Sequence, residues 1–487
     1  MDALDLARWQ FAITTVYHFL FVPITIGMSA IVAAFHTAWV RTHNPQWYKL
    51  TRFFGKLFLI NFALGLVTGI VQEFQFGMNW SDYSRFVGDI FGAPLAFEAL
   101  LTFFLESTFI GLWVFGWGRI PEKLHALTMW LVHIGTVMSA FFILAANSFM
   151  QNPVGYRYNP ETGRAELTDF LAVLTNKVQL VAFPHVITAA YMTGGAVVMA
   201  VAMYHLRRRY TDPETKIDRQ MYRKAARIGA VVTLIASVGV MITGDLQGKV
   251  MTDVQPMKMA AAEAHYNTES HAPFSVFSTG DLDGENATHW IQIPGLLSYL
   301  GKGDLDAEIE GIYDLRAQMQ AEYSSNPLTA DPRTGYTPNI PSTYWTFRLM
   351  MGLGFVGTAL SLLVLWATRK NAPEGGLKPA WWHWAILAAP FMPLFANSFG
   401  WIFTEIGRQP WAVHELMTTA TAVSPRVSAG EVLFSMIVYT LLYGALAVVE
   451  VKLFVKYTKL GAEAVPDLNP AAADGSDSDE DSLVFAY

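Results

Sequence analysis

Apolar residues fall into nine long runs separated by polar segments. The runs lie near 14–40, 53–74, 93–117, 126–147, 181–205, 228–246, 344–366, 383–406 and 432–454. A helix needs about 20 apolar residues to cross a hydrocarbon layer ~30 Å thick, and each run is close to that length. Lipid offers no partner for backbone N–H and C=O groups, so a spanning segment must satisfy them internally as a helix. The pattern predicts an all-α polytopic membrane protein of about nine transmembrane helices forming one bundle. Residues 1–246 hold helices 1–6 and residues 343–460 hold helices 7–9. Between them, 247–342 form a long polar loop with a helical stretch near 304–323. The end, 461–487, is acidic and rich in Ser and Asp, and is expected to be a disordered tail.

Charge gives this arrangement a direction. Basic residues follow the odd-numbered spans, most densely after the fifth (Arg207, Arg208, Arg209, Lys216, Arg219, Arg223, Lys224, Arg227), and are sparser in the other short loops. The positive-inside rule then expects the N-terminus outside, the C-terminal tail in the cytoplasm and the long loop outside. Met1–Gln10 has no cleavable-leader pattern, so the first apolar run is expected to stay.

The third run, GAPLAFEALLTFFLESTFIGLWVFGWG at 92–118, contains two carboxylates, Glu98 and Glu106. On insertion scales each costs roughly 2.5–3.5 kcal/mol at mid-membrane. Both must face protein, water or a cofactor. On a uniform α-helix they stand about 80° apart around the axis and roughly 12 Å apart along it.

Composition narrows the chemistry. The chain is 53% hydrophobic and 15% charged, with mean hydropathy +0.30 and a net charge of −7. No nucleic-acid partner is expected. It has no cysteine, which excludes thiolate-bound iron–sulfur clusters, CxxCH haem attachment and thiolate-ligated haem. Haem held by His, Met or Glu stays open.

Ionisable and ligating groups gather toward the outer ends of the spans: His18, His185, Met350 with Arg348, and Glu405, with Glu98 in the outer half of its helix and Glu106 nearer the middle. A His–Met pair closes both axial positions of a haem iron, and a cationic Arg beside it can neutralise a propionate. Plainer readings stand beside these. His36, His125, His205 and His383 read as interfacial, His133 is ambiguous, and Met350 alone reads as packing. Spacing alone does not separate a haem oxidase from a proton-coupled transporter that uses Glu98, Glu106 and Glu405 as carriers. A cofactor-free partner subunit fits these placements poorly.

Longer motifs favour the oxidase. YHFLFVP, FGKLFLINFALG, EFQFGMNW, GDIFGAPLAFEALLTFFLEST, GDLQGKVMTDVQ followed by KMAAAEA, FRLMMG and GWIFTEIGRQPW occur in this order over nearly the whole chain. Together they resemble subunit I of cytochrome bd-type quinol oxidases. GRQPW beside a membrane Glu, with EFQFG, is the most specific part. The resemblance implies a respiratory oxidase subunit in a bacterial plasma membrane, carrying haems b558, b595 and d. It would oxidise quinol outside and reduce O2 to water with cytoplasmic protons, building proton-motive force without pumping. By the resemblance, His18 ligates the haem d of the oxygen site, Glu98 lies on the opposite side of that haem or close by, and Glu405 ligates or abuts haem b595. Trp401 lies between haems. His185 and Met350 ligate haem b558, with Arg348 near its propionates, and Arg408 supports the high-spin haems. Glu106, with Ser107 and Ser139, belongs to a proton route, and Lys258 and Glu263 to quinol oxidation. The loop is of the short form. A second large membrane subunit is implied, with membrane lipid around both and room for small single-helix subunits.

Overall fold

A computed structural model describes residues 2–211, 217–280, 287–331, 333–371 and 376–466. Most of the expected acidic tail lies outside the described residues. Among those described, nine helical units are long and apolar enough to cross a membrane. The first is broken: α1 (Ala3–His18) and α2 (Val22–Thr42) are separated by a turn. Pro23 sits at the start of α2 and has no N–H to continue the ladder across that turn. The unit starts well before residue 14, because the Asp2 side chain caps it by accepting from Asp5 N–H at 2.9 Å. His18, expected near the outer end of its span, therefore has about four helical turns on its N-terminal side.

The next spans are α3 (Pro45–Met78), a composite of α4 (Ser81–Phe97), a π-helical stretch (Glu98–Phe103) and α5 (Phe104–Phe115), then α6 (Glu122–Gln151). Pro94 lies inside α4, one turn before the π-helical stretch. Its missing N–H leaves the ladder to re-form with a longer repeat. The uniform 80° spacing expected for Glu98 and Glu106 does not survive this stretch. A small hairpin, β1 (Tyr156–Asn159) with β2 (Arg164–Leu167), and the short α7 (Phe170–Leu174) lead to α8 (Lys177–Thr211) and α9 (Arg219–Val254).

The long loop is folded. It holds α10 (Pro256–Glu263), β3 (Glu269–Ser270), β4 (Phe274–Gly280), β5 (Ala287–Ile293), α11 (Leu296–Lys302), β6 (Glu308–Ile309) and α12 (Ile312–Tyr323). β4 pairs antiparallel with β5, and β3 with β6. The helix expected near 304–323 starts at Ile312. Then follow α13 (Ile340–Ala367), α14 (Trp381–Gly407), the β7 (Trp411–Val413) and β8 (Met417–Thr418) pair, α15 (Thr419–Ala422) and α16 (Ala429–Leu460).

Hydrogen bonds tie the two ends of the bundle separately. At the loop end, Ser424 N–H donates to Asn79 O, His414 N–H to Met150 O and Thr418 N–H to Leu328 O. At the far end, Gln46 donates to Asp218 (2.8 Å), and Tyr222 to Glu463 (2.7 Å) just beyond α16. These pairs require successive spans to alternate in direction.

The centre is held by glycine. A Cβ on Gly27 of α2 would come within 2.7 Å of Gly194 Cα, and one on Gly229 of α9 within 2.6 Å of Met199 N in α8. Three backbones touch with no side chain between them, as small residues allow in lipid. By contrast, the π-helical stretch, α5 and α16 turn large side chains such as Leu100, Phe104, Phe434 and Leu441 outward. Gly194→Val has no flexible neighbour to displace, so it is expected to cost about 3 kcal/mol or more. It should lower the thermal midpoint of the purified protein, whereas Gly430→Ala, with nothing within 4 Å of the added carbon, leaves it unchanged.

Candidate functional site

Two histidines share one local design. His18 Nδ1 lies 3.0 Å from Thr68 Oγ1, and the Thr68 hydroxyl donates to Gly65 O at 2.9 Å. His185 Nδ1 lies 3.1 Å from Thr243 Oγ1, and that hydroxyl donates to Gly239 O at 2.7 Å. Each threonine spends its proton on its own helix, so it accepts from the histidine. The imidazole is thereby set as the Nδ1–H tautomer, with a bare lone pair on Nε2. The next residue in each case is a glycine facing the ring: a Cβ on Gly69 would meet His18 Cε1 at 3.1 Å, and one on Gly244 would meet His185 Cε1 at 3.3 Å.

The other span histidines are spent on structure. His133 has Ser29 at Nδ1 (2.9 Å) and Tyr191 at Nε2 (3.1 Å). His36 Nδ1 accepts from Trp113 (3.0 Å), His125 Nε2 binds Trp113 O (2.8 Å) and His205 Nε2 binds Thr458 O (2.8 Å). The interfacial reading of His36, His125 and His205 is corrected, since all three are buried, and His133 is buried as well. Nothing in the local sequence around either histidine names Thr68 or Thr243. The recurring Thr-Gly step in GLVTG and GVMITG is the signal that could have found them.

α8 packs on α9 and α14, and α13 packs on the same two, so these four helices close a ring with α8 and α13 on its diagonal. His185 lies on α8 about two turns from the loop end, and Met350 on α13 about three turns from that end. Met350 abuts Gly400 of α14, where a Cβ would lie 2.9 Å from its sulfur.

Two residues before Met350, Arg348 reaches up into the loop. It grips Glu263 bidentately, Nη2 to Oε2 at 2.5 Å and Nη1 to Oε1 at 3.2 Å. Nη1 also donates to Ala262 O (3.2 Å), and Nε to Ser275 O (2.8 Å), an oxygen that Nη2 shares. The side chains are 9% and 2% exposed. All five N–H groups of Arg348 are used, so the expected propionate contact has no free donor in this arrangement. Arg348 instead fixes α10 and β4 to α13. Burial pushes the Glu263 carboxyl above its ordinary range, with the Arg348 charge and hydrogen bonds opposing.

The loop end of α14 gathers the remaining groups. Glu405 accepts from Arg408 Nη2 and from Asn147 Nδ2 (3.1 Å), while Arg408 Nη1 donates to Ala412 O. Trp401 stacks on Phe19, the neighbour of His18, with centroids 4.2 Å apart. Arg408 Nε and Tyr83 OH are buried without a partner. Two unpaired donors beside Glu405 suit the carboxylates of a prosthetic group better than a dry core, where each would cost about 1–3 kcal/mol.

Lys258, expected on the outer loop, points inward and is 2% exposed. Its Nζ donates to Gln151 Oε1 at 2.6 Å, and its stem lies against Gly407. α10 lies over the ends of α9, α13 and α14, so its basic residue has no route to solvent. In the third span, Ser139 donates to Glu98 at 2.8 Å rather than to Glu106, which packs on Gly135 one turn away on α6. Ser107 donates only to Phe104 O, at 3.3 Å.

Burial, with the Arg408 charge adding and Glu405 opposing, pulls the Lys258 amine from 10.5 down to about 7. Between these values the folded protein has shed a proton that the unfolded chain keeps, so stability rises with pH across that window. Lys258→Met removes this titration. Relative to the parent, the variant's unfolding free energy should be higher at pH 6 than at pH 9 by roughly 2–3 kcal/mol, read from paired melts.

Comparison with known proteins agrees with this geometry. The family model for cytochrome bd terminal oxidase subunit I matches residues 6–462. The chain is 45% identical over 464 residues to the cytochrome bd ubiquinol oxidase subunit 1 of Bacillus subtilis (strain 168), covering 95% of each. It is 37% identical over 525 residues to the cytochrome bd-II ubiquinol oxidase subunit 1 of Escherichia coli (strain K12), covering 97% of this chain and 100% of that one. The structure of bd oxidase from Geobacillus thermodenitrificans superposes with a TM-score of 0.81 at 26% identity, over 94% of this chain and 99% of that chain. The transporter reading falls with these matches: the chain belongs to the cytochrome bd terminal oxidase subunit I family, membrane subunits of quinol:O2 oxidoreductases.

Proposed function

We propose that this subunit binds three haems, b558 on the His185–Met350 diagonal, d at His18 and b595 at Glu405. When bound, these groups supply the one-electron steps that carry quinol electrons to O2. The carrying observation is the paired threonine-set histidines with bare Nε2 atoms. Facing glycines give both rings room for a flat cofactor. Trp401, stacked beside His18 on the helix that carries Glu405, lies between the high-spin positions. Arg408 and Tyr83 offer their unpaired donors to propionates. Glu98 lies by the oxygen site, and Glu106 hands protons toward it from the cytoplasmic end. Quinol binds at the loop, where Glu263 takes its proton and Lys258 steadies Glu405 at the end of α14.

In this reading the N-terminus and the loop are outside and the tail is in the cytoplasm, in line with the basic far end. The outward apolar sides of α5 and α16 are where a second large subunit, lipid and any single-helix subunits would pack.

The reduced-minus-oxidised spectrum of the purified complex tests the haem content. Two b-type signals with a far-red chlorin band are expected, and a colourless, carefully purified complex overturns it. Thr243→Val removes the acceptor on His185 Nδ1 and so lowers the basicity of the ligand. The midpoint potential of the low-spin haem should rise by roughly 20–60 mV in a redox titration, equivalent to a hydrogen bond of about 1 kcal/mol, with the other two unmoved.

A further inference from the structure

β4 carries two buried hydroxyls, Ser275 and Ser278. Residues three apart on a regular strand point to opposite faces. Here the β4–β5 register slips on both sides of Phe277, and the irregularity brings both serines to the inner face. Their hydroxyls hydrogen-bond to each other. Ser278 Oγ continues to His289 Nδ1 on β5 at 2.6 Å, and Ser275 Oγ lies 3.2 Å from Tyr344 OH. His289 is only partly buried. At the inner end, Ser275 touches the Arg348–Glu263 pair: its carbonyl accepts from Arg348, and its backbone N–H lies near the Glu263 carboxylate. A row of polar groups therefore runs from a fully buried carboxylate to a histidine at the surface of the loop.

We propose that Ser275, Ser278 and His289 form the proton exit of the quinol site, carrying to the outer surface the proton that Glu263 receives. This rests on the reading of Glu263 as the quinol-facing base. Oxidation of one quinol releases two electrons, taken by the oxidase and finally by O2, and two protons. In each transfer the quinol O–H bond breaks and a Glu263 O–H bond forms. Glu263 then yields its proton, by way of a bridging water, to the Ser275 hydroxyl, Ser275 passes one to Ser278, and Ser278 passes one to His289 Nδ1. His289 loses its Nε2 proton to external water, and a flip of the imidazole, with reorientation of the hydroxyls, presents a bare nitrogen to Ser278 again. Arg348 cannot deprotonate and so cannot relay; its fixed charge bars the proton from the low-spin side. Burial raises the acid, and burial with the His265 charge lowers the base, so their proton affinities are drawn toward each other. Among the described residues, the titratable or charged groups around His289 are His265, Tyr344 and, beyond Ser275, the Arg348–Glu263 pair.

The test uses the complete purified oxidase. His289→Ala should slow quinol-driven O2 uptake on the order of tenfold or more, and free imidazole should restore it. Uptake driven by tetramethyl-p-phenylenediamine, which brings electrons without protons, should be unchanged, as should the haem spectrum. Ser278→Ala should show the same loss without imidazole rescue. An unchanged quinol-driven rate in His289→Ala overturns the exit, as does a loss shared by both donors that imidazole leaves untouched. Glu263→Gln separates the two layers. If it keeps quinol oxidation, the quinol-site reading fails and the exit with it. If it abolishes quinol oxidation while His289→Ala is unaffected, the exit alone fails.

Discussion

An unpartnered polar group in hydrocarbon costs so much that each one in this chain needs a reason, and most of the architecture follows. Among the described residues, the backbone answers by forming nine membrane-length helical units. The span histidines answer in two ways. His36, His125, His133 and His205 spend at least one nitrogen on a side chain or carbonyl of a neighbouring element. His18 and His185 are held by threonine at one nitrogen and keep the other bare. The same constraint that makes a buried lone pair expensive makes it informative, and the proposed haem ligation rests on these two bare Nε2 atoms.

Two clusters meet at the loop end. One runs from Met350 through Arg348 to Glu263 and the β4 serines. The other joins Glu405, Arg408, Asn147 and, through α10, Lys258 to Gln151. α10 is common to both: Lys258 and Glu263 sit on one short helix and face different helices of the bundle. The loop is thus a folded cap, with two of its charged residues, Lys258 and Glu263, anchored in the membrane domain.

The spans were readable because hydrocarbon imposes a length and an apolarity that sequence displays directly. The groups expected at the site were readable one at a time, for the same reason. Relations between helices were not. Nothing around His185 names Thr243, which lies 58 residues away. KMAAAEA falls in the expected outer loop, and only packing turns Lys258 inward. The break at Pro23 and the π-helical stretch after Pro94 each start from one missing N–H, but where the ladder re-forms depends on the neighbours. Arg348 beside Met350 suggested a cofactor contact, while the loop brings five acceptor contacts that local sequence does not reveal.

The glycine contacts among α2, α8 and α9 have a mechanical consequence. Machines that move solutes by rocking one bundle against another need an interface with slack, where side-chain layers can re-register. Gly27 against Gly194, and Gly229 against Met199, leave no such layer. The interior behaves as a chassis, holding the proposed ligating residues at a constant spacing.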